Sequence, residues 1–116
     1  MRILLLLSAV AILLVTSLGT ARSDDVPDLN VEAVCRGIAQ QPAGPGEKGG
    51  PDLAFRQCVS SEQATKQKLT GEWSTFIEPE KTSCVGEEKS STLPSYTDLI
   101  SCLEMARDAR QLNRNK

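Results

Sequence analysis

Apolar residues recur at helical spacing through the chain after residue 28, and strand-like alternation is almost absent. Residues 30–40 predict the first helix, and either Asn30 or Asp28 can cap its N-terminus. Its apolar positions are spaced i, i+3, i+4, i+7 and share one face: Val31, Val34, Cys35 and Ile38. Residues 41–51 follow with four of the eight glycines and predict a loop.

The longest predicted helix spans residues 52–77, and its apolar face contains one acidic residue, Glu62. The residues of that face are Phe55, Cys58, Val59, Glu62, Leu69, Trp73, Phe76 and Ile77. Gly71 lies on the opposite face and is expected to mark a kink or an early end of the helix. Residues 78–88 predict a short helical turn with Pro79 at its first position and Gly86 at its end.

A last amphipathic helix is predicted in residues 94–110. Ser95 and Asp98 have the spacing of a capping box, with Asp in place of the usual Glu. Arg107 and Arg110 fall on the apolar face, so the buried part of that face is expected to end near Ala106. The apolar residues of this face are Tyr96, Leu99, Ile100, Leu103 and Ala106, with Cys102 at its edge.

The first residues have the composition of a secretory signal. Arg2 precedes an apolar run of 13 residues at positions 3–15, and Gly19 and Ala21 occupy the small-residue positions of a signal-peptidase site. The run is shorter than the ~20 residues that a membrane-spanning helix needs. The expected organisation is a signal peptide at 1–21, a loose segment at 22–28, a helical disulfide-stapled domain at 29–112 and a polar tail at 113–116.

Four cysteines, Cys35, Cys58, Cys84 and Cys102, predict two disulfides in a small exported chain. There is no C-x-x-C spacing and no histidine, which disfavours a zinc site or a redox-active pair. If the first two helices pack antiparallel, Cys35 and Cys58 come level, at similar distances from the connecting loop. This geometry favours the pairs Cys35–Cys58 and Cys84–Cys102, and pairings such as Cys58–Cys102 stay open.

The composition excludes several classes of function. Without histidine there is no Ser-His-Asp or Cys-His arrangement, and the sequence predicts no enzyme activity, no cofactor and no metal site. The glycine-rich stretch at 44–50 lacks the spacing of a phosphate-binding loop. Without Arg2 the net charge is −3 rather than −2, which gives no electrostatic case for nucleic acid or for an anionic membrane. After signal cleavage no stable membrane insertion is expected.

Glu62 is the one residue to which the sequence gives a candidate binding role. The favoured interpretation is an exposed ion pair with Lys66, four residues further on, where the apolar face passes the edge of the core. The alternatives are a partly buried carboxylate that anchors a polar contact, or one that binds a ligand. Trp73, the only tryptophan, is expected to pack in the core rather than to recognise a ligand.

Three segments carry a resemblance that covers nearly all of the chain after residue 21. They are VPDLNVEAVCRGIA, FRQCVSSEQATKQKL with the following EWSTF, and PSYTDLISCLEMARDAR. Their layout, including the Glu62-Gln63 pair, resembles small exported four-cysteine proteins of rhizobial-type alphaproteobacteria. The resemblance implies export to the periplasm and implies no particular activity. A fainter similarity in layout is to periplasmic lysozyme-inhibitor-like helical domains.

Together these observations predict an all-α protein, a small disulfide-stapled helical bundle of three to four helices. The expected function is that of a non-catalytic protein-binding or inhibitor-like module in the periplasm or outside the cell. The alternative is a structural or stress-related component of the cell envelope with no discrete ligand. The sequence leaves open the identity of any protein partner, the oligomeric state, and the choice between periplasm and secretion.

Overall fold

The computed structural model describes residues 25–116, and every regular element in this part of the chain is helical. The elements are α1 (Glu32–Ala39), α2 (Gly50–Glu72), a 3-10 turn (Trp73–Thr75), α3 (Glu78–Ser90) and α4 (Tyr96–Arg114). The predicted all-α, disulfide-stapled bundle is therefore confirmed. The predicted signal peptide lies outside the described residues. No helix within 25–116 is long and apolar enough to cross a bilayer.

The bundle consists of two helix hairpins, each closed by one disulfide. α1 packs against α2 and α3 packs against α4, while contacts between α2 and α4 hold the two hairpins together. Cys35–Cys58 joins α1 to α2 with a Cα–Cα distance of 5.4 Å, and Cys84–Cys102 joins α3 to α4 at 5.8 Å. The pairing favoured by the helix geometry is the observed one.

The main hydrophobic core is formed by the second half of α2, the 3-10 turn that follows it, and the packed pair α3 and α4. Leu69 of α2 and Leu99 and Leu103 of α4 are completely buried. The remaining buried members of this cluster are Trp73, Phe76, Cys84, Val85, Tyr96 and Ile100. α1 contributes no fully buried residue to the cluster, and an eight-residue helix is marginal by itself in water. α1 therefore depends on its contacts with α2 and on the Cys35–Cys58 disulfide.

Two predicted boundaries in the middle of the chain are corrected by the structure. The predicted end at residue 77 is wrong: α2 ends at Glu72, and the early end that was one of the two expectations for Gly71 is confirmed. The backbone becomes extended at Phe76 after the 3-10 turn. α3 does not end at Gly86 but continues to Ser90. Val85 and Glu88 are buried on both sides of Gly86, so packing of α3 carries the helix past the glycine.

Gly86→Ala is expected to raise the free energy of unfolding by about 0.5–1 kcal/mol. A Cβ at this helical position meets no atom within 4 Å, and alanine costs less conformational entropy in a helix than glycine. Gly49→Ala is the opposite control, because Gly49 has φ +122° and a Cβ there overlaps the Leu53 side chain. Urea unfolding at neutral pH measures both, and a lowered midpoint for Gly86→Ala would contradict the prediction.

Candidate functional site

Glu62 is buried between α2 and the start of α4, with 6 % of its surface exposed. Its carboxylate accepts hydrogen bonds from three consecutive residues. The Ser95 and Thr97 hydroxyls donate to Oε1 at 3.1 and 2.6 Å, and the Tyr96 N–H donates to Oε2 at 2.6 Å. The favoured prediction of an exposed ion pair between Glu62 and Lys66 is therefore wrong, and the alternative of a buried polar anchor describes the contacts.

The N-terminus of α4 explains why a carboxylate is stable at this position. The first N–H groups of a helix have no partner within the helix, and their dipoles favour a negative charge. Ser95 is the N-cap, and its hydroxyl accepts hydrogen bonds from the N–H groups of Thr97 and Asp98. The Tyr96 N–H of the same turn has no partner within α4, and it donates to the carboxylate of Glu62 from α2. Helix α2 thereby supplies the anion that the start of α4 requires.

The predicted capping box is only half present. Ser95 caps the helix as expected, but its own N–H donates to Oε2 of Glu88 at 2.9 Å rather than to Asp98. Glu88 belongs to α3 and is buried, so a second helix contributes an acid to the same turn. Two carboxylates from different helices therefore fix the position of the α4 N-terminus.

Tyr96 connects this network to the segment that precedes α1. Its hydroxyl donates to the carbonyl of Pro27 at 3.0 Å and accepts the N–H of Leu29 at 2.9 Å. Lys66 lies over the Tyr96 ring, 5.5 Å from the centroid, and forms its ion pair with Asp28 of the same segment. The hydrogen bond from Lys66 lowers the pKa of the Asp28 carboxyl below its ordinary value. The N-terminal segment thus provides Asp28 as the acidic partner of Lys66, the role that the sequence analysis gave to Glu62.

A groove of about 500 Å³ opens beside this network, between α1, α2 and the first turn of α4. Its apolar part comes from Val34 and Ile38 of α1 and Ala54 of α2, and Ile38 is 47 % exposed. Glu62 lies at the groove together with Asp98 from α4 and Glu47 from the loop before α2. No Lys or Arg is among the described residues that line it. The groove therefore combines an open apolar surface with carboxylates.

The end of the bundle that contains the 3-10 turn carries a separate polar cluster. The last buried residue of α4 is Leu103, in line with the expected end of the buried face near Ala106, and the partly buried Arg107 and Arg110 continue the contacts beyond it. Arg107 lies 5.0 Å from the centroid of the Phe76 ring, and Arg110 Nε is 2.7 Å from Oε1 of Glu80. Because their long side chains reach α3 and the 3-10 turn, these arginines extend the packed face with ion pairs.

The pKa of the Glu80 carboxyl is set by opposing effects. Burial raises it, while hydrogen bonds from the Arg110 side chain and the Ile77 N–H lower it and outweigh the burial. The pKa of Glu80 therefore lies below its ordinary value, and the ionised form is the one that the fold stabilises.

Glu80→Gln is expected to destabilise the protein by about 1 kcal/mol at pH 7 and by progressively less in acid. Because the folded pKa is depressed, the contribution of Glu80 is present above the unfolded pKa of ~4.3 and is lost as pH falls through the folded value. Urea melts of the variant and the parent at pH 7 and pH 3 measure the difference. A stability gap that widens at pH 3 would contradict the assignment.

The described residues carry no group of three or more His, Cys, Asp or Glu side chains that could hold a metal ion. In the same part of the chain, every buried side-chain N or O atom has a hydrogen-bond partner. The hydrogen bonds of Glu62 make it a structural anchor between α2 and α4. Comparison of the chain with protein-family models, with curated proteins and with solved structures gives no significant match in any of the three.

Proposed function

We propose that the protein is an exported, non-catalytic protein-binding or inhibitor-like module and that the groove between α1, α2 and α4 is its binding surface. The carrying observation is Ile38, a large apolar side chain left about half exposed in a concave surface lined by three parts of the fold. Ile38 is one of five large apolar side chains that are exposed in residues 25–116, and it is the one among them that lines this groove, where a partner can cover it.

The scaffold around the groove supports this proposal. The Cys35–Cys58 disulfide fixes α1 against α2, and the Glu62 hydrogen bonds fix the first turn of α4 against the same helix. The walls of the groove are therefore positioned before a partner arrives. A surface that is ordered in the free protein loses less conformational entropy on binding.

Export to the periplasm or beyond the cell is part of the same proposal. Disulfides form and persist in oxidising compartments, and this chain pairs all four of its cysteines. The predicted signal peptide and the resemblance to exported four-cysteine proteins point in the same direction. The proposed site of action is therefore an oxidising compartment, in which the Cys35–Cys58 disulfide that holds one wall of the groove persists.

Site-specific photo-crosslinking in the producing cells tests the function. A photoreactive residue replaces Ile38 in the full chain, and the control carries it at Met105, which is exposed on α4 outside the groove. We expect one protein to be captured in comparable amount to the module from position 38 and not from position 105. Capture should disappear when Cys35 and Cys58 are both replaced by alanine, because α1 then loses its attachment.

Absence of a captured protein at position 38, with the chain exported and oxidised, would reject the proposed function. That result would favour the structural or stress-related envelope component with no discrete ligand. Equal capture from both positions would show non-specific contact and would also count against the groove.

A further inference from the structure

We infer that the groove takes an extended, positively charged segment of a partner protein, with an aliphatic side chain against Ile38. This inference rests on the proposed function and specifies the chemistry of the partner.

The first observation is the distribution of ion pairs. Four of the cations in the chain have an acidic partner from elsewhere in the bundle: Lys66 with Asp28, Lys68 with Glu104, Arg107 with Glu72 and Arg110 with Glu80. At the groove, by contrast, acidic side chains lack a cationic partner. No ion pair within 4 Å is found in residues 25–116 for Glu47, Glu62 or Asp98. Three carboxylates that form no ion pair with a Lys or Arg of the described residues therefore lie at a surface that also exposes apolar side chains.

The three carboxylates differ in how available they are. Glu62 is buried and already accepts three hydrogen bonds, so it contributes negative potential rather than a direct contact. Glu47 accepts the Gly44 N–H at 2.8 Å and keeps further acceptor positions. Asp98 is exposed in the first turn of α4. Glu47 and Asp98 are thus the two acids that can meet an incoming Lys or Arg.

The shape of the groove selects a chain segment over an enclosed small molecule. The groove is open to solvent along much of its surface, and its volume of about 500 Å³ is distributed over residues of α1, α2 and α4. Val34, Ile38 and Ala54 offer an aliphatic surface without an aromatic ring. An aliphatic side chain can lie on this surface while flanking cations reach the carboxylates. Such an arrangement gives both burial and electrostatic complementarity.

The test uses the oxidised protein and a short fluorescent peptide in which lysine and leucine alternate. Control peptides carry glutamate in place of lysine, or serine in place of leucine. We expect the lysine-leucine peptide to bind most tightly and its affinity to fall with added salt, because screening weakens the charge contacts. Backbone amide shifts in the unmodified protein should concentrate on α1, the start of α2 and the first turn of α4. This mapping requires no variant to fold.

Matched variants separate the groove from the net charge of the protein. Asp98→Asn is expected to weaken peptide binding about threefold to fivefold, whereas Asp108→Asn, which makes the same charge change on α4 outside the groove, should leave it unchanged. Ile38→Ser is expected to weaken binding about tenfold, with Leu112→Ser as the exposed apolar control. Equal effects of the two aspartate variants would overturn the inference.

Failure of the inference and failure of the proposed function give different results. If position 38 captures a single protein while the glutamate-leucine peptide binds as tightly as the lysine-leucine peptide, the groove binds a partner of other chemistry. If the free protein forms a concentration-dependent dimer that Asp98→Asn disrupts, the occupant is a second copy of this chain. Both outcomes overturn the cationic-partner inference, whereas the proposed function fails if position 38 captures no protein or captures no more than position 105 does.

Discussion

Replacement of Cys84 and Cys102 by alanine is expected to lower the free energy of unfolding by about 3 kcal/mol. This disulfide closes a loop between residues 18 apart in sequence, and its removal increases the entropy of the unfolded chain. Cys84 is also 2 % exposed in the main core, so the smaller side chain leaves unfilled space. The loss is a large share of the ~5–15 kcal/mol typical of a folded domain. Urea unfolding followed by far-UV circular dichroism measures it.

The matched control is the double replacement of Cys35 and Cys58. This disulfide holds α1, which lies outside the main core cluster, so its removal should release α1 while α2, α3 and α4 remain folded. Hydrogen exchange should show lost protection in α1 and retained protection around Leu69, Leu99 and Leu103. Cooperative loss of the whole structure in this variant would show that the two hairpins are one energetic unit. Equal protection of α1 from hydrogen exchange in both double variants would contradict the view that α1 is attached separately from the main core.

Glu62→Gln is expected to destabilise the protein by about 1–3 kcal/mol. The carboxylate accepts from the Tyr96 N–H on one oxygen and from two hydroxyls on the other. In glutamine one of these oxygens becomes an NH₂ group, which then faces a donor. The best orientation keeps the amide oxygen on the Tyr96 N–H, but the Ser95 hydroxyl already accepts two N–H groups and cannot easily accept another. The negative charge at the α4 N-terminus is lost as well.

Glu104→Gln is the control for the loss of a carboxylate. Glu104 pairs with Lys68 at 2.9 Å on the surface, and such pairs contribute only a few tenths of a kcal/mol. Urea melts of both variants at pH 7 give the comparison. Equal small losses of unfolding free energy in both variants would show that Glu62 contributes no more than a surface ion pair does. A loss of about 1 kcal/mol or more in Glu62→Gln alone supports its role as an anchor.

The helices and the disulfide pairing could be predicted because they depend on local spacing. The i, i+3, i+4 pattern identified α1 and α4, and the positions of Cys35 and Cys58 relative to one loop made their pairing favourable. The end of α3 was predicted too early, at Gly86, because glycine disfavours a helix when only the local sequence is considered. Burial of Val85 and Glu88 against the rest of the bundle outweighs its propensity.

The anchor role of Glu62 could not be selected from local sequence. Its donors lie 33–35 residues away, whereas Lys66 is only one helical turn away and offered an immediate partner. The available signal was an acid inside an otherwise apolar face, together with a Ser-Tyr-Thr sequence at the start of another helix. Which helix start that acid meets depends on the packing of α2 against α4. The groove depends on the same packing and was equally hidden.

Each disulfide joins cysteines that are consecutive along the chain, with sequence separations of 23 and 18 residues. If the chain is exported as proposed, an oxidase that acts on it as it enters the compartment with its N-terminus first meets Cys35 and Cys58 before Cys84 and Cys102 are present. Oxidation in order of arrival therefore produces the native bonds directly. Each hairpin can close before the next has emerged, and neither bond has to be reshuffled. The protein is thereby suited to vectorial folding with an oxidase alone, without a disulfide isomerase.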